Sequence, residues 1–246
     1  MDFYDQHFAL LARSQSTEQL QQIIDFVLAR LALAPGSGLL DQGCGIGRIS
    51  HLLANAGLQV TGVDINSEYI REARANTADL PLRYVCADAR DFVCEPALEA
   101  VLSWHTSFGH FTRAADNQAM LARAYDSLLP GGRLLLDYPN FYQTLINFQS
   151  VLVQSYTTEA GLVRVMRHSR IDPGAGLLHQ DWEFIYPDGE RALRHAPLSI
   201  YLPHQLEQML QNAGFILTNV YGSVAGEPFE LDSPRWIVLA HKGGTP

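Results

Sequence analysis

The chain has 246 residues and a mass of 27.3 kDa, which suits one large domain, or one domain with a small insertion, around a substantial core. Apolar residues make up 47% and charged residues 17%, a globular composition that excludes a largely disordered chain. Acidic residues outnumber basic ones by 26 to 17, which gives a formal net charge of −9. With no basic stripe, this charge argues against nucleic acid and against an anionic membrane surface as partners.

The targeting and cysteine patterns predict a cytoplasmic protein with free thiols. No apolar run approaches the ~20 residues of a membrane span, and residues 1–5 lack the start of a secretory signal. The three cysteines, Cys44, Cys86 and Cys94, are too few for a disulfide scaffold in a chain of this length. No Cys/His pair has structural zinc spacing, so we expect no metal centre. The oligomeric state stays open.

The first half of the sequence alternates strands and helices. An amphipathic helix is predicted over 17–33, with Thr17 as a candidate cap and Pro35-Gly36 as its stop. Leu39-Leu40 then begins a series of apolar strands. Further strands are predicted at 58–63, 82–87, 98–103 and 133–138, and further helices from Ile46, over 66–78 and over 115–129. This order is typical of an α/β protein with an open parallel sheet and helices on both faces.

The pattern changes after Asn140. Residues 141–150 are predicted as one more helix, and 151–201 as an antiparallel β insertion with tight turns. The strands expected there are Leu162–His168, Leu178–Ile185 and Arg191–Tyr201. A helix over 203–213 and strands 215–221 and 235–241 return to the main sheet. We therefore divide the chain into an N-terminal lid and helix (1–36), a cofactor-binding core (37–140 and 202–246) and a β-rich substrate cap (141–201).

The segment Asp41–Gly47 carries glycines at positions 43, 45 and 47 between a predicted strand and a predicted helix. Glycine lets a ligand approach the backbone closely, and the start of a helix offers unpaired N–H groups. In a dinucleotide fingerprint the third glycine falls three residues after the second, where this chain has Arg48. The spacing disfavours a nicotinamide-dependent reductase, and an ordinary tight turn is the alternative to a ligand site.

Acidic residues follow three successive strands, at Asp41, Asp64 and Asp88. A carboxylate after the second strand can accept hydrogen bonds from both hydroxyls of a ribose, and one after the third can accept from an adenine amine. The simpler alternatives are a helix cap for Asp64 and a loop cap for Asp88. Because open α/β sheets bind ligands at the carboxyl ends of their strands, the three acids fit one ligand.

These motifs resemble the class I S-adenosylmethionine-dependent methyltransferases. The matching features are the acid and glycine turn at 41–47, the acid Asp64, the pair Asp88-Ala89 and the turn at 128–134. The resemblance implies a Rossmann-like doubly wound sheet of seven strands whose last strand is antiparallel. It also implies S-adenosylmethionine as cofactor and S-adenosylhomocysteine as product. The cofactor-binding residues it implies are Tyr4, Asp41, Gly43, Cys44, Gly45, Asp64, Ile65, Asp88, Ala89 and Trp104.

A narrower resemblance lies in the segment Ser103–Phe111 and in the C-terminal run 221–235. Both are similar to small-molecule methyltransferases, and the Ser-x-x-Gly-His form resembles the amino-sugar N,N-dimethyltransferases. In these families an N-terminal aromatic segment closes over the cofactor, which implies that role for Phe3-Tyr4-Asp5 and Phe8.

Methyl transfer needs alignment, exclusion of water and management of a proton. His105, His110 and Tyr4 are the candidate catalytic residues, and the alternative for each histidine is a structural hydrogen-bonding role, which is the more common one for a single histidine. Second-rank candidates are His168, His195 and Tyr201. Tyr4, Trp104 and Tyr138 are candidates for an aromatic wall beside the sulfonium, with core packing as the alternative for Trp104.

The expected activity is transfer of a methyl group to a nitrogen of a small molecule: an amine, an amino sugar or a nitrogen heterocycle. An oxygen or carbon acceptor is the first alternative, and a protein that binds S-adenosylmethionine without catalysis is the second. A magnesium-dependent variant is not expected, because Asp137 has no second acid at suitable spacing.

Overall fold

The computed structural model describes residues 5–75, 77, 79–158 and 161–243. Its strands are β1 Gly38–Gln42, β2 Gln59–Asp64, β3 Leu82–Cys86, β4 Leu98–Ser103, β5 Leu128–Pro139, β6 Val151–Thr158, β7 Gly161–Asp172, β8 Leu177–Ile185, β9 Arg191–His195, β10 Leu198–Ser199, β11 Phe215–Tyr221 and β12 Arg235–Lys242. Its helices are α1 Gln6–Arg13, α2 Thr17–Leu31, α3 Arg48–Asn55, α4 Ser67–Ala75, α5 Ala114–Asp126, α6 Phe141–Ile146 and α7 Pro203–Asn212. Within these ranges no helix has the length and apolarity to cross a bilayer.

The main sheet has seven strands in the order β11-β12-β5-β4-β1-β2-β3. Strands β1 to β5 pair in parallel, whereas β12 runs antiparallel to both of its neighbours, β5 and β11. The predicted fold class, including the antiparallel last strand, is confirmed. Parallel pairing brings the carboxyl ends of β1, β2, β3 and β4 to one edge of this sheet.

Both faces of the main sheet are covered, as an apolar parallel strand requires. Leu39 and Leu40 of β1 are fully buried on opposite faces, in two separate hydrophobic clusters. One cluster includes Val27 of α2 and Leu53 of α3, and the other includes Leu121 of α5. The predicted helices therefore occupy the faces that the alternation of apolar residues demands.

The predicted antiparallel insertion forms a second sheet, in the order β10-β8-β7-β6, with β9 also paired to β8. The expected strand Arg191–Tyr201 is wrong as a single element, because it divides into β9 and β10 around Pro197, which has no N–H to donate to a ladder. Strand β6, which the strand pattern did not single out, completes the sheet by pairing with β7. The division of the chain into domains at residues 36, 140 and 201 stays a prediction.

Helix α2 begins with a capping box: the Ser16 hydroxyl accepts from the Gln19 N–H, and the Gln19 side chain accepts from the Ser16 N–H. The suggestion that Thr17 caps this helix is wrong by one residue. Ser16 satisfies an N–H at the helix start that has no partner inside the helix.

Helix α1 was not expected from the sequence and joins the two sheets. Asp5 caps it by accepting from the His7 N–H at 3.0 Å, and the same carboxylate pairs with Arg194 of β9 at 2.5 Å. On the main-sheet side, the Tyr69 hydroxyl of α4 donates to the Asp5 carbonyl at 2.6 Å. Phe8 packs edge-on against aromatic rings of β8. The N-terminal end of the helix is therefore tied to the second sheet and to a helix of the main sheet.

Candidate active site

The glycine turn after β1 adopts backbone conformations that L side chains rarely take. Gly43, Gly45 and Gly47 have φ angles of +80°, +56° and +80°. A Cβ on Gly43 would lie 2.5 Å from the Cβ of Ser107, and one on Gly47 would clash with the hydroxyl of Tyr84. A Cβ on Gly45 would meet no atom within 4 Å. Two of these glycines therefore serve packing, whereas Gly45 leaves open space beside a bare backbone.

Asp64, the last residue of β2, faces this turn. Its Oδ2 accepts from the Gly45 N–H at 2.9 Å, and its Oδ1 accepts from the Asn66 N–H at 2.9 Å. The cap of α4 is Asn66, whose side chain accepts from the Glu68 N–H at 2.8 Å, so the helix-cap alternative for Asp64 is wrong. Burial raises the pKa of Asp64, and the backbone donors partly oppose that rise.

Asp41 lies beneath the turn and is almost completely buried. Its Oδ2 accepts from the Ser50 hydroxyl of α3 at 2.5 Å. Burial raises the pKa of Asp41 to about 6, the Ser50 hydrogen bond lowers it, and the charge of Asp64 raises it further. Two carboxylates close together in a poorly hydrated site favour a cationic group on any ligand bound there.

Asp88, after β3, accepts from the Arg90 N–H at 2.9 Å and forms an ion pair with the Arg90 guanidinium at 2.6 Å. The loop-cap interpretation of Asp88 is therefore correct. The hydrogen bond from Arg90 also holds the pKa of this carboxyl below its usual range. Asp88 is thus ionised at neutral pH, and a carboxylate has further lone pairs with which to accept from a ligand.

One cavity of about 750 Å³ joins these groups, a volume within the range of roughly 300–1,000 Å³ of ligand pockets. Eleven of the residues predicted for the site line it: Asp41, Gly43, Cys44, Gly45, Asp64, Ile65, Asp88, Ala89, Trp104, His105 and His110. Tyr4 and Phe3 lie outside the described residues. Phe8 of the expected lid lines the cavity, and so do Ala12 and Gln15 from the same end of the chain.

The two candidate histidines differ in their surroundings. His105 lies in a left-handed turn with a φ of +52°, held by its own N–H, which donates to Asp137 Oδ2 at 3.0 Å. Its Nε2 is 3.0 Å from the side-chain nitrogen of Gln15, and the residue is exposed, although loss of hydration of the ring lowers its pKa. His110 Nδ1 donates to the Pro197 carbonyl at 3.1 Å, and loss of hydration lowers the pKa of His110 to about 4. His110 is therefore neutral at physiological pH.

The aromatic-wall predictions are corrected in two places. Tyr138 is wholly buried, packs against Phe108 and donates its hydroxyl to the Ser199 carbonyl, and it does not line the cavity. Trp104 packs on Phe26 of α2 with 4% of its surface exposed, as the core-packing alternative expects, and one edge reaches the cavity.

The second-rank candidate bases lie outside the cavity lining. His195 pairs with Asp181 at 2.7 Å on an exposed part of the second sheet. His168 is exposed on β7, and the Tyr201 hydroxyl accepts from the Asn117 amide at 2.9 Å. None of these three is placed to take a proton from a ligand in the cavity.

Asp137, the one acid considered for a metal, is already paired. Its two oxygens accept from Arg235 Nε at 2.6 Å and Nη2 at 2.7 Å. Arg235 also donates to the Thr106 hydroxyl at 2.9 Å, so this pair supports the turn that carries His105. In the described ranges no three His, Cys, Asp or Glu side chains are grouped as a metal site would need.

The sequence motifs did not indicate one part of the cavity wall. Arg167 and Ser169 of β7 and Gln180 and Trp182 of β8 line it from the second sheet. The available signal was the two-residue alternation of a strand, which places 167 and 169 on the same face as Val163 and Val165.

Comparison with known proteins supports the resemblance to methyltransferases that the sequence motifs carry. Residues 39–132 match the family model described as a methyltransferase domain. An S-adenosyl-L-methionine-dependent Diels-Alderase of Talaromyces variabilis is 35% identical over 48% of this chain and 42% of its own length. A ubiquinone biosynthesis O-methyltransferase of Xanthomonas campestris is 32% identical over 48% of each chain. The chain spans about half the length of the curated relatives it matches.

Among solved structures, the fold matches CalS10, an amino pentose methyltransferase of Micromonospora echinaspora, with a TM-score of 0.73, 20% identity and coverage of 98% and 99% of the two chains. The sheet order, the glycine turn and the family match confirm the resemblance seen in the sequence. Residues 39–132 therefore match a methyltransferase domain, and the whole chain is similar in fold to a methyltransferase that binds S-adenosylmethionine.

Proposed function

We propose that this protein transfers a methyl group from S-adenosylmethionine to a nitrogen of a small molecule. The observation that carries the proposal is the shared cavity. Carboxylates from the ends of β1, β2 and β3 line it on one side, and the second sheet lines it on another. A cofactor pocket and an acceptor pocket are thereby continuous, as a direct transfer between two bound molecules requires.

The residues fit the proposed cofactor. Gly45 offers open space beside its backbone, and Asp64 keeps acceptor capacity for ribose hydroxyls beyond its two backbone donors. Asp88 and Ala89 would meet the adenine, and the buried Asp41 favours a cationic group nearby. Tyr4, Cys44, Ile65 and Trp104 complete the proposed cofactor contacts. When bound, the cofactor supplies a methyl group on a sulfonium that is its own leaving group.

The chain must orient the acceptor, exclude water and manage one proton. Helix α1 lines the cavity through Phe8, Ala9, Leu11 and Ala12, and these apolar side chains exclude water from that part of the wall. Of the catalytic candidates, His105 is the better placed base, because it is exposed in the cavity wall, although loss of hydration lowers its pKa as well. His110, with its pKa near 4, is too weak a base for an ammonium of pKa roughly 10 and suits hydrogen bonding to the acceptor. Tyr4 stays a proposed contributor.

Nitrogen is preferred over oxygen or carbon because of the Ser-x-x-Gly-His segment and the near-complete structural match to an amino pentose methyltransferase. An O-methyltransferase and a Diels-Alderase also lie among the relatives of this domain. The alternatives are therefore an O- or C-methyltransferase, and a protein that binds S-adenosylmethionine without transferring its methyl group.

The experiment has two stages. Calorimetric titration with S-adenosylhomocysteine and with NAD⁺ should show binding of the first alone, and binding of NAD⁺ alone would reject the assignment. A labelled methyl donor is then incubated with amines, amino sugars and heterocycles, and the methylated atom is located by NMR. N-methyl products support the proposal, O- or C-methyl products alone replace it, and tight binding without transfer to any acceptor class favours the non-catalytic alternative.

A further inference from the structure

The inward face of the second sheet has a polar band within an apolar surface. Strands β7 and β8 pair in register, so Val165 faces Phe184, Arg167 faces Trp182, Ser169 faces Gln180 and Ile171 faces Leu178. The two outer pairs are apolar, and the two middle pairs carry polar groups that line the cavity. A polar band at the centre of a buried sheet face needs partners, because unpaired buried polar groups are costly.

Three buried polar atoms in this band have no hydrogen-bond partner among the described residues: Arg167 Nε, Ser169 Oγ and Trp182 Nε1. The arginine and tryptophan atoms can only donate, and the serine hydroxyl can donate as well. The three residues lie at neighbouring positions of the face that lines the cavity, so a ligand with acceptor atoms could supply the partners that these donors lack.

Arg167 differs from the other arginines that line the cavity. Arg235 forms a bidentate pair with Asp137, and Arg48 donates to the carbonyls of Ala12 and Gln15. Arg167 has no carboxylate partner in the described part of the chain, and its guanidinium lies 5.3 Å from the centre of the Trp182 ring. Burial lowers the pKa of Arg167, which reflects the cost of keeping this charge without an anion.

We propose that Arg167, Ser169 and Trp182 bind an oxyanion of the methyl acceptor, a carboxylate or a phosphate. The proposal rests on the proposed function, since it assigns the second-sheet wall of the same cavity to the acceptor. A planar guanidinium with further donors beside it matches the oxygen geometry of both anions. The acceptor is then a small molecule with a nucleophilic atom at one end and an anionic group at the other.

The first test measures anion binding in the intact protein. Inorganic phosphate and benzoate are titrated separately into the protein saturated with S-adenosylhomocysteine. Wild type should bind at least one of them, and Arg167→Met should weaken that binding tenfold or more. Phosphate binding alone identifies a phosphorylated acceptor, and benzoate binding alone identifies a carboxylated one. Failure of wild type to bind either anion at concentrations up to about 10 mM, where a weak site would still be occupied, overturns the proposal.

Arg164→Met is the matched control, because Arg164 lies on the same strand with its side chain exposed on the opposite face. It should leave anion binding unchanged, and equal losses in both variants would overturn the proposal. S-adenosylhomocysteine affinity should stay within about twofold in Arg167→Met. If wild type fails to bind S-adenosylhomocysteine, the proposed function fails. The same anion titration on the protein without S-adenosylhomocysteine then still tests whether Arg167, Ser169 and Trp182 bind an oxyanion.

The second test uses paired acceptors that differ only in the anion: glucosamine against glucosamine 6-phosphate, and phenethylamine against phenylalanine. Wild type should prefer the anionic member of a pair, through KM more than through kcat, and Arg167→Met should remove that preference. Arg167→Lys, which keeps the charge and loses the fork, should restore part of it. Preference for the neutral members, or a preference that survives Arg167→Met, contradicts the proposal.

Discussion

The backbone N–H of Gly45 donates to Oδ2 of Asp64 at 2.9 Å, which joins the glycine turn to the end of the neighbouring strand. The contact explains why a turn and an acid that lie far apart in the sequence form one site. Parallel pairing of β1 with β2 sets Gln42 opposite Val63, so the residues that follow each strand meet at the same edge. The carboxylate orients the bare backbone and keeps capacity for a further donor.

The first prediction concerns this carboxylate. Asp64→Ala should weaken S-adenosylhomocysteine binding by about 1.5–3 kcal/mol, the range for hydrogen bonds to a charged group. Calorimetry measures the affinity, and Asp64→Asn, which keeps one acceptor oxygen, should lose less. Asp25→Asn on the exposed side of α2 is the control and should bind normally. Unchanged affinity in Asp64→Ala would show that Asp64 does not accept hydrogen bonds from the ribose hydroxyls of the cofactor.

The second prediction separates two glycines of the turn. Alanine at either Gly45 or Gly47 adopts a left-handed conformation at a cost of about 1–2 kcal/mol. Gly47→Ala also meets Tyr84, so its free energy of unfolding should fall by about 1–3 kcal/mol more than that of Gly45→Ala. Gly45→Ala adds its methyl group to open space in the cavity and should lose more cofactor affinity.

Urea unfolding and calorimetry on both variants provide the comparison. A Gly45→Ala variant that binds S-adenosylhomocysteine as tightly as wild type would show that the cofactor does not approach this backbone. A Gly47→Ala variant as stable as Gly45→Ala would show that Tyr84 moves aside.

The parts of the fold and site that the sequence predicted are those with local signals. Apolar runs ending in Asp41 or Asp64 marked strand ends, and a parallel sheet then necessarily gathers them at one edge. Helix α1 escaped prediction because it is only eight residues long and is held by contacts from elsewhere, such as Arg194 and Tyr69. A short helix of this kind is marginal without tertiary packing.

Side-chain roles were harder to predict than positions. Tyr138 comes from the correct edge of the sheet, yet its side chain turns into the core toward Ser199. Arg167 was missed for the opposite reason: its lack of a partner depends on what every neighbouring element supplies. Neither property is encoded within a few residues of the position concerned.

The third prediction follows from the raised pKa of Asp41, about 6 in the folded protein against an ordinary value of 3.8. The folded state binds this proton more tightly, so the contribution to stability is full below about pH 4 and is lost as the pH rises through about 6. The two-unit difference corresponds to roughly 3 kcal/mol. Asp41→Asn lacks this titration and should gain stability relative to wild type across that window.

Urea unfolding of wild type and Asp41→Asn at several pH values between about 4 and 8 measures the difference. Asp25→Asn serves again as the control and should run parallel to wild type. A constant difference between wild type and Asp41→Asn would mean that this carboxylate titrates normally.

The fourth prediction is that His110 makes the free energy of unfolding change with pH in the opposite direction. Loss of hydration lowers the pKa of His110 from 6.5 to about 4. Here the unfolded state binds the proton more tightly, so the contribution to stability is full above about pH 6.5 and is lost as the pH falls toward 4. The expected size is again roughly 3 kcal/mol. His110→Asn, whose amide can still donate toward Pro197, should therefore lose stability relative to wild type as the pH rises from 4 to 6.5.

The titrations of Asp41 and His110 oppose each other over almost the same pH range, so the unfolding free energy of wild type should change less with pH than that of either variant. Removing Asp41 should expose the rise with pH that His110 causes, and removing His110 should expose the fall that Asp41 causes. The double variant Asp41→Asn/His110→Asn should lack both trends and keep only the pH dependence of the other groups with shifted pKa values, such as Asp64, Asp88 and His105. Two single-variant curves that bend in the same direction would contradict the assignment of these two groups as the opposing pair.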